Sequence, residues 1–167
     1  GNGWQYTWLV PQDVHGLIKL MGGDKYFTSK LDSLFNASGS MGEEASPDIS
    51  GLIGQYAQGN EPNHHIPYLY NFAGEQWKTA SMTRTLMDSM YTSRPDGLCG
   101  NEDAGQMSAW YVMSAMGFYQ VHPGNGVYVI GSPRMEDLKI HLPNGKIFEI
   151  HVLRKDPKDK YIRGITF

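Results

Sequence analysis

The chain has 167 residues, a formal net charge of −3 and one cysteine. That length is about one domain's worth and enough to bury a core, while the charge, with no basic cluster to offset it, gives a nucleic-acid partner no electrostatic support. No apolar run approaches the roughly 20 residues that span a bilayer, and Cys99 alone excludes an internal disulfide without fixing the compartment.

The chain opens on Gly1-Asn2-Gly3-Trp4 without an initiator methionine, and it is expected to be a piece cut from a longer polypeptide. Pro11 to Met21 reads as a short helix, with Pro11 suited to a first turn and Gly22-Gly23 as its stop. Asp24 is placed to cap the next helix, on which Phe27, Leu31, Leu34 and Phe35 share one face. Residues 36–59 are rich in Ser, Gly, Pro and acidic side chains. They read as a long functional loop with a short helix around Ile49 to Tyr56. His64 to Ala73, ended by Gly74, and Gln76 to Tyr91, striped by Met82, Leu86 and Met90, read as two further helices. A last helix is expected to begin at Asp103, with Met107, Trp110, Tyr111 and Phe118 as its apolar face.

The period changes after Pro123. Leu138, Ile140 and Leu142 alternate with polar residues, as do Phe148, Ile150 and Val152, and Asn144-Gly145 lies between the two runs, which predicts a β-hairpin. Tyr161 to Phe167 reads as one more strand. The expected class is mainly α with a β portion.

Five groups of residues carry candidate chemistry. Glu102-Asp103 at a loop-to-helix junction fits either a helix cap or a general base tuned by a second carboxylate. Asn60-Glu61-Pro62 offers oxygen donors of the type a Ca²⁺ ion takes. His64-His65 does not read as a zinc pair, because adjacent helix positions point about 100° apart. Glu43-Glu44 and Asp48 belong to an acidic loop whose plain reading is solvation. Trp4, Gln5, Tyr6 and Trp8 form an aromatic start whose default role is core packing, although aromatic faces also pack against sugars. No Gly-x-Ser-x-Gly elbow, phosphate loop or Cys-x-x-Cys is present. Unaided, these features point to a carboxylate-based hydrolase.

Five segments in order, namely 1–8, 45–51, 59–65, 95–98 and 100–111 (the last beginning Gly-Asn-Glu-Asp-Ala-Gly-Gln-Met-Ser-Ala-Trp-Tyr), together resemble glycoside hydrolase family 92, a family of calcium-dependent, inverting exo-α-mannosidases. The resemblance implies that residues 1–122 are the later helices of an (α/α)6-type catalytic barrel. Residues 123–167 would then be antiparallel strands returning to a β-sandwich, with both parts incomplete. It implies Asp103 as the general base with Glu102 supporting it, and Asn60, Glu61 and Gln55 as calcium ligands. His64, His65, Glu43 and Trp4 would contact the substrate. The family's general acid is a Glu directly before the Gly-Asn-x-Trp-Gln-Tyr motif. Here the chain starts at that Gly, so the acid is expected upstream and the isolated chain inactive, with Glu61 as the alternative acid. Asn101 departs from relatives that carry Asp, which puts the proton relay in doubt. The implied partners are a mannose-containing glycan and the remainder of a parent chain, or self-association through uncovered apolar faces. The implied location is periplasmic, cell-surface or secreted in a bacterium. A non-catalytic carbohydrate-binding or structural module of a helical-barrel glycosidase is the rival reading.

Overall fold

A computed structural model describes residues 1–40, Ser46 and 49–167. The order is α1 (Gly3–Tyr6), a 3₁₀ turn Pro11–Asp13 leading into α2 (Val14–Leu20), α3 (Asp24–Asn36), β1 (Leu52–Ile53), β2 (Tyr56–Ala57), two 3₁₀ segments Glu61–Asn63 and Ile66–Ala73, α4 (Gln76–Ser89), α5 (Gln106–Met116), and the strands β3 (Phe118–Tyr119), β4 (Val129–Ile130), β5 (Asp137–His141) and β6 (Ile147–His151). Among the described residues, no helix is long and apolar enough to cross a membrane.

The core is built where α3, the Ile66–Ala73 segment, α4 and α5 converge. Phe27, Leu31 and Leu34 of α3 meet Ile66, Leu69, Leu86 and Trp110 with no appreciable exposure. The i, i+4, i+7 and i+8 spacing of Phe27, Leu31, Leu34 and Phe35 places all four on the inward stripe, as expected. Trp8 packs edge-on to Phe27 with ring centroids 5.4 Å apart. On α4 the inward face is Thr79, Ala80, Thr83, Leu86 and Met87, whereas Met82 and Met90 are only partly buried. The two threonines lie in the core because their hydroxyls bond backward to carbonyls: Thr79 Oγ1 to Pro67 at 2.8 Å and Thr83 Oγ1 to Thr79 at 2.9 Å.

Four expectations change. Asp24 is the first residue of α3, and the cap position is Gly23, with no side-chain capping bond. The short helix expected near Ile49 to Tyr56 is instead the β1–β2 hairpin, with Leu52 opposite Ala57 and Ile53 opposite Tyr56. Its turn is pinned by Gln55 N–H to Leu34 O at 2.8 Å, a tertiary bond that local sequence does not announce. Residues 161–167 form no strand, because among the described residues no neighbouring strand supplies the ladder. Helix α5 begins at Gln106, not at Asp103, and ends at Met116, so Phe118, expected on its apolar face, belongs to β3 instead.

The β5–β6 hairpin forms as read, with Leu138 opposite Ile150, Ile140 opposite Phe148 and Gly145 at φ 79° in the turn. The strand pair β3–β4 joins Phe118 to Ile130 and Tyr119 to Val129, straddling position 122.

Gly54 sits at φ +60°, and a Cβ there would lie 2.5 Å from Leu34 O and 2.6 Å from the Phe35 carbonyl. Backbone atoms cannot rotate away, so Gly54→Ala is expected to destabilise the chain by about 1–3 kcal/mol. Urea unfolding checks this against Gly164→Ala, whose Cβ would meet nothing within 4 Å and which is expected to stay within about 0.5 kcal/mol of the parent.

Candidate active site

Two loops meet backbone to backbone. A Cβ on Gly100 would lie 2.6 Å from Gly59 O and 2.7 Å from Gly59 Cα, and a Cβ on Gly59 would lie 3.0 Å from Ser50 O and 3.1 Å from Cys99 O. Only glycine permits this approach. The residues that follow each glycine, Asn60-Glu61 and Asn101-Glu102-Asp103, are therefore presented side by side.

Asp103 and Ala104 have φ of 52° and 56°, the left-handed region that costs a non-glycine residue about 1–3 kcal/mol. The surroundings hold it there. Glu102 O accepts from Met107 N at 3.2 Å and Asp103 O from Gln106 N at 3.2 Å. Glu102 Oε1 accepts from Ser108 N at 2.9 Å and Oε2 from Ser108 Oγ at 2.7 Å. Glu102 thus satisfies a first-turn N–H of α5 and brings negative charge to its positive end. The capping duty expected of Asp103 belongs to Glu102, and the Asp103 carboxyl is left for other work. Hydrogen bonds from Ser108 hold the Glu102 carboxyl below its usual range.

Asp103 is raised above the usual aspartate range, first by loss of solvation, then by a hydrogen bond and charge repulsion with Glu61; His64 opposes this and Glu102 adds to it. Glu61 and Asp103 are thus coupled electrostatically across the loop crossing.

Behind them is a buried polar network. His64 is 1% exposed. Its Nε2 donates to Gln58 O at 2.9 Å, so Nδ1 is the acceptor for Gln106 Nε2 at 3.1 Å. Gln106 also reaches the Tyr119 hydroxyl at 3.4 Å. The Trp110 indole donates to His64 O at 2.9 Å. Gln58 accepts from the Tyr56 hydroxyl and donates to that of Tyr91 at 2.7 Å. Burial lowers the His64 pKa, and the imidazole is neutral near pH 7.

The other residues singled out by sequence are distributed as follows. Asn60 Oδ1 is buried and has no hydrogen-bond partner among the described residues. It borders a hollow of about 140 Å³ lined also by Gln5, Tyr6, Pro62 and Asn63. His65 is buried elsewhere, with Nε2 on Trp8 O at 2.7 Å. The Gln55 side chain accepts from Asn2 Nδ2 at 2.9 Å and donates to the carbonyls of Ser38 and Ser40, which occupies both ends of its amide. Trp4 lines a separate open hollow with Lys30 Nζ 4.4 Å from its ring centre. Glu43 lies outside the described residues. Sequence reasoning passed over Gln106, Ser108, Gln58 and Tyr119. Gln106 and Ser108 stand inside a quoted motif, but only tertiary contact gives them partners.

Among the described residues, no group of three or more His, Cys, Asp or Glu side chains is placed to hold a metal. The oxygen donors at Asn60-Glu61 are of another kind: a buried, unpartnered amide oxygen and, next in sequence, a carboxylate, donor types that a hard cation takes.

The sequence profile described as "Glycosyl hydrolase family 92 catalytic domain" matches residues 1–167. The chain belongs to glycoside hydrolase family 92. Its fold is similar to that of a family 92 α-mannosidase from Bacteroides thetaiotaomicron, with 45% identity, a TM-score of 0.87, and coverage of 98% of this chain and 21% of that one. The same enzyme in complex with mannoimidazole gives a TM-score of 0.89 at 44% identity. A family 92 inverting mannosidase from Bacteroides thetaiotaomicron VPI-5482 matches at 41% identity and a TM-score of 0.80, over 98% of this chain and 23% of that one. An uncharacterized secreted glycosidase of Arthroderma benhamiae is 31% identical over 166 residues, 98% of this chain and 19% of the relative. This family 92 chain thus spans about a fifth of the length of the relatives it matches.

His65 gives a pH prediction. Burial lowers its pKa below 6.5, opposed by hydrogen bonds to the Trp8 and Pro62 carbonyls. A depressed pKa contributes stability above the unfolded value, and that stability is lost as pH falls through the folded value. The denaturation midpoint is expected to fall as pH drops from about 7 to below 6, with a shallower slope in His65→Gln. An unchanged slope in the variant would contradict this.

Proposed function

We propose that this chain supplies the base side of the active site of an inverting, calcium-dependent exo-α-mannosidase, which removes terminal α-linked mannose from glycans. The observation that carries this reading is the loop crossing at Gly59 and Gly100, which presents Glu61 and the left-handed Asp103 together and is backed by the His64–Gln106 pair. In this reading the helices belong to an (α/α)6-type barrel (residues 1–122), and residues 123–167 lead to a β-sandwich. The description of a fungal relative as secreted supports an extracytoplasmic location.

Asp103 acts as general base. It accepts a proton from a water on the face of the sugar opposite the departing group; that water's oxygen bonds to the anomeric carbon as the glycosidic C–O bond breaks, and the departing oxygen takes a proton from the general acid. Glu102 already occupies the helix end, and Asp103 stands next to it in left-handed backbone. Charge repulsion from Glu61 helps raise the Asp103 pKa, which makes Asp103 a better proton acceptor. Inverting enzymes hold acid and base about 6.5–9.5 Å apart to admit the water. In this reading Glu61 supports the base, and the acid comes from another segment.

Asn60 and Glu61 fit a calcium ion through the buried, unpartnered Oδ1 and the adjacent carboxylate. When bound, the ion would supply positive charge that orients sugar hydroxyls and favours ring distortion. His64 keeps both ring nitrogens engaged with Gln58 and Gln106, so its contribution is to hold the loops rather than to bond substrate.

The polypeptide carrying this chain is expected to release mannose from α-mannosides, and to lose this activity on chelation. Asp103→Asn keeps the shape and removes the base, and it is expected to lower kcat by about 100-fold or more. Full activity in Asp103→Asn would reject the base assignment. Mannose binding without hydrolysis in the parent would favour the binding-module reading.

A further inference from the structure

Helix α4 and the segments that flank the β5–β6 hairpin meet over one carbonyl oxygen. Arg84 Nη1 donates to Pro133 O at 3.2 Å, and Arg154 Nη2 donates to the same oxygen at 3.1 Å. Arg154 Nη2 also reaches Met135 O at 3.3 Å. Arg134, next along the chain, pairs through Nη1 with Asp88, one turn beyond Arg84 on α4. Three guanidiniums from separate parts of the sequence are thereby gathered at one place.

The charges do not balance. Asp88 is the one carboxylate that pairs with any of the three among the described residues. Burial lowers the Arg84 pKa first, and Arg134 and Arg154 depress it further as neighbouring positive charges, with Asp88 and Tyr111 opposing them. Lys160 extends the basic surface, with Nζ on Ser81 Oγ at 3.0 Å, one turn before Arg84. The aspartates closest in sequence are engaged in their own turn: Asp159 Oδ2 accepts from Lys155 N and Asp156 N, and Asp156 Oδ1 from Lys158 N.

One donor is also left over. Arg154 Nε is buried and has no hydrogen-bond partner among the described residues. A guanidinium presents its donors as a planar fork that matches the oxygens of a carboxylate or phosphate two at a time. A buried donor without an acceptor is unfavourable, and so is unbalanced like charge. One kind of ligand relieves both. A cation is repelled, and a neutral hydroxyl supplies an acceptor but leaves the charge.

We infer that Arg84, Arg134 and Arg154 form a binding site for a small oxyanion, of the phosphate or carboxylate class, where α4 meets the segments around the β5–β6 hairpin. The site shares no residue with the Glu61–Asp103 loops, so it stands independently of the glycosidase reading. Its occupant would tie the hairpin end of the chain to the helical part.

The test follows thermal unfolding of the polypeptide carrying this chain against sodium phosphate and, in parallel, sodium acetate, with ionic strength held constant by chloride. A saturable rise in Tm is expected. The Arg154 Nε–H resonance is expected to shift over the same concentration range. Arg154→Gln loses the rise. Arg154→Lys keeps the charge but not the fork, and it is expected to raise the half-saturating concentration by about tenfold. Tighter binding of phosphate assigns the site to a phosphate group, and tighter binding of acetate assigns it to a carboxylate. A Tm that follows ionic strength alone, or an Arg154 Nε–H signal that neither anion moves, overturns the proposal.

Discussion

The crossing of Gly59 and Gly100 is the constraint on which the site depends. The two backbones approach so closely that any Cβ at position 100 would sit inside the Gly59 carbonyl, and Ser50 and Cys99 close in on position 59 from the other side. A carboxylate pair is unfavourable to assemble, because each charge raises the cost of the other. Side chains on flexible loops would separate. Here the separation is resisted by covalent geometry: Glu61 is two residues past one glycine and Asp103 is three past the other.

The rest of the local structure serves the same arrangement. Glu102 grips Ser108 and anchors the start of α5, which frees Asp103 to adopt left-handed backbone. His64 ties the first loop to Gln58 and the second to Gln106, and Trp110 holds the His64 carbonyl from within the core. These groups are buried and paired, and a buried polar network of this kind rigidifies what it connects. Distortion is therefore taken up by the loop backbone, while the supporting groups stay in ordinary geometry.

The sequence announced features whose causes are local. The apolar stripe of α3 and the Asn144-Gly145 hairpin follow from periodicity and turn chemistry, and both appear in the structure. Features set by distant contact were hidden. The β1–β2 hairpin depends on Gln55 bonding to Leu34, and the inward threonines of α4 depend on carbonyls that accept their hydroxyls. Residues 161–167 read as a strand but have no strand beside them among the described residues. At the site, Glu102 and Asp103 were visible as a pair. Their division of labour was not, because it rests on the positive φ of Asp103 and on Ser108. The motif order from Gly1 to Tyr111 carried the family, as the profile match over the whole chain bears out.

The central claim is that the loops crossing at Gly59 and Gly100 hold the reacting end of a mannoside. A crystal structure of the polypeptide carrying this chain, with calcium and a mannose-configured inhibitor, tests it most directly. The account predicts the inhibitor's anomeric carbon facing the Asp103 carboxyl across one ordered water, and a cation on Asn60 Oδ1 and the Glu61 carboxylate. An inhibitor bound away from these loops, or a cation that bypasses Asn60 and Glu61, would contradict it.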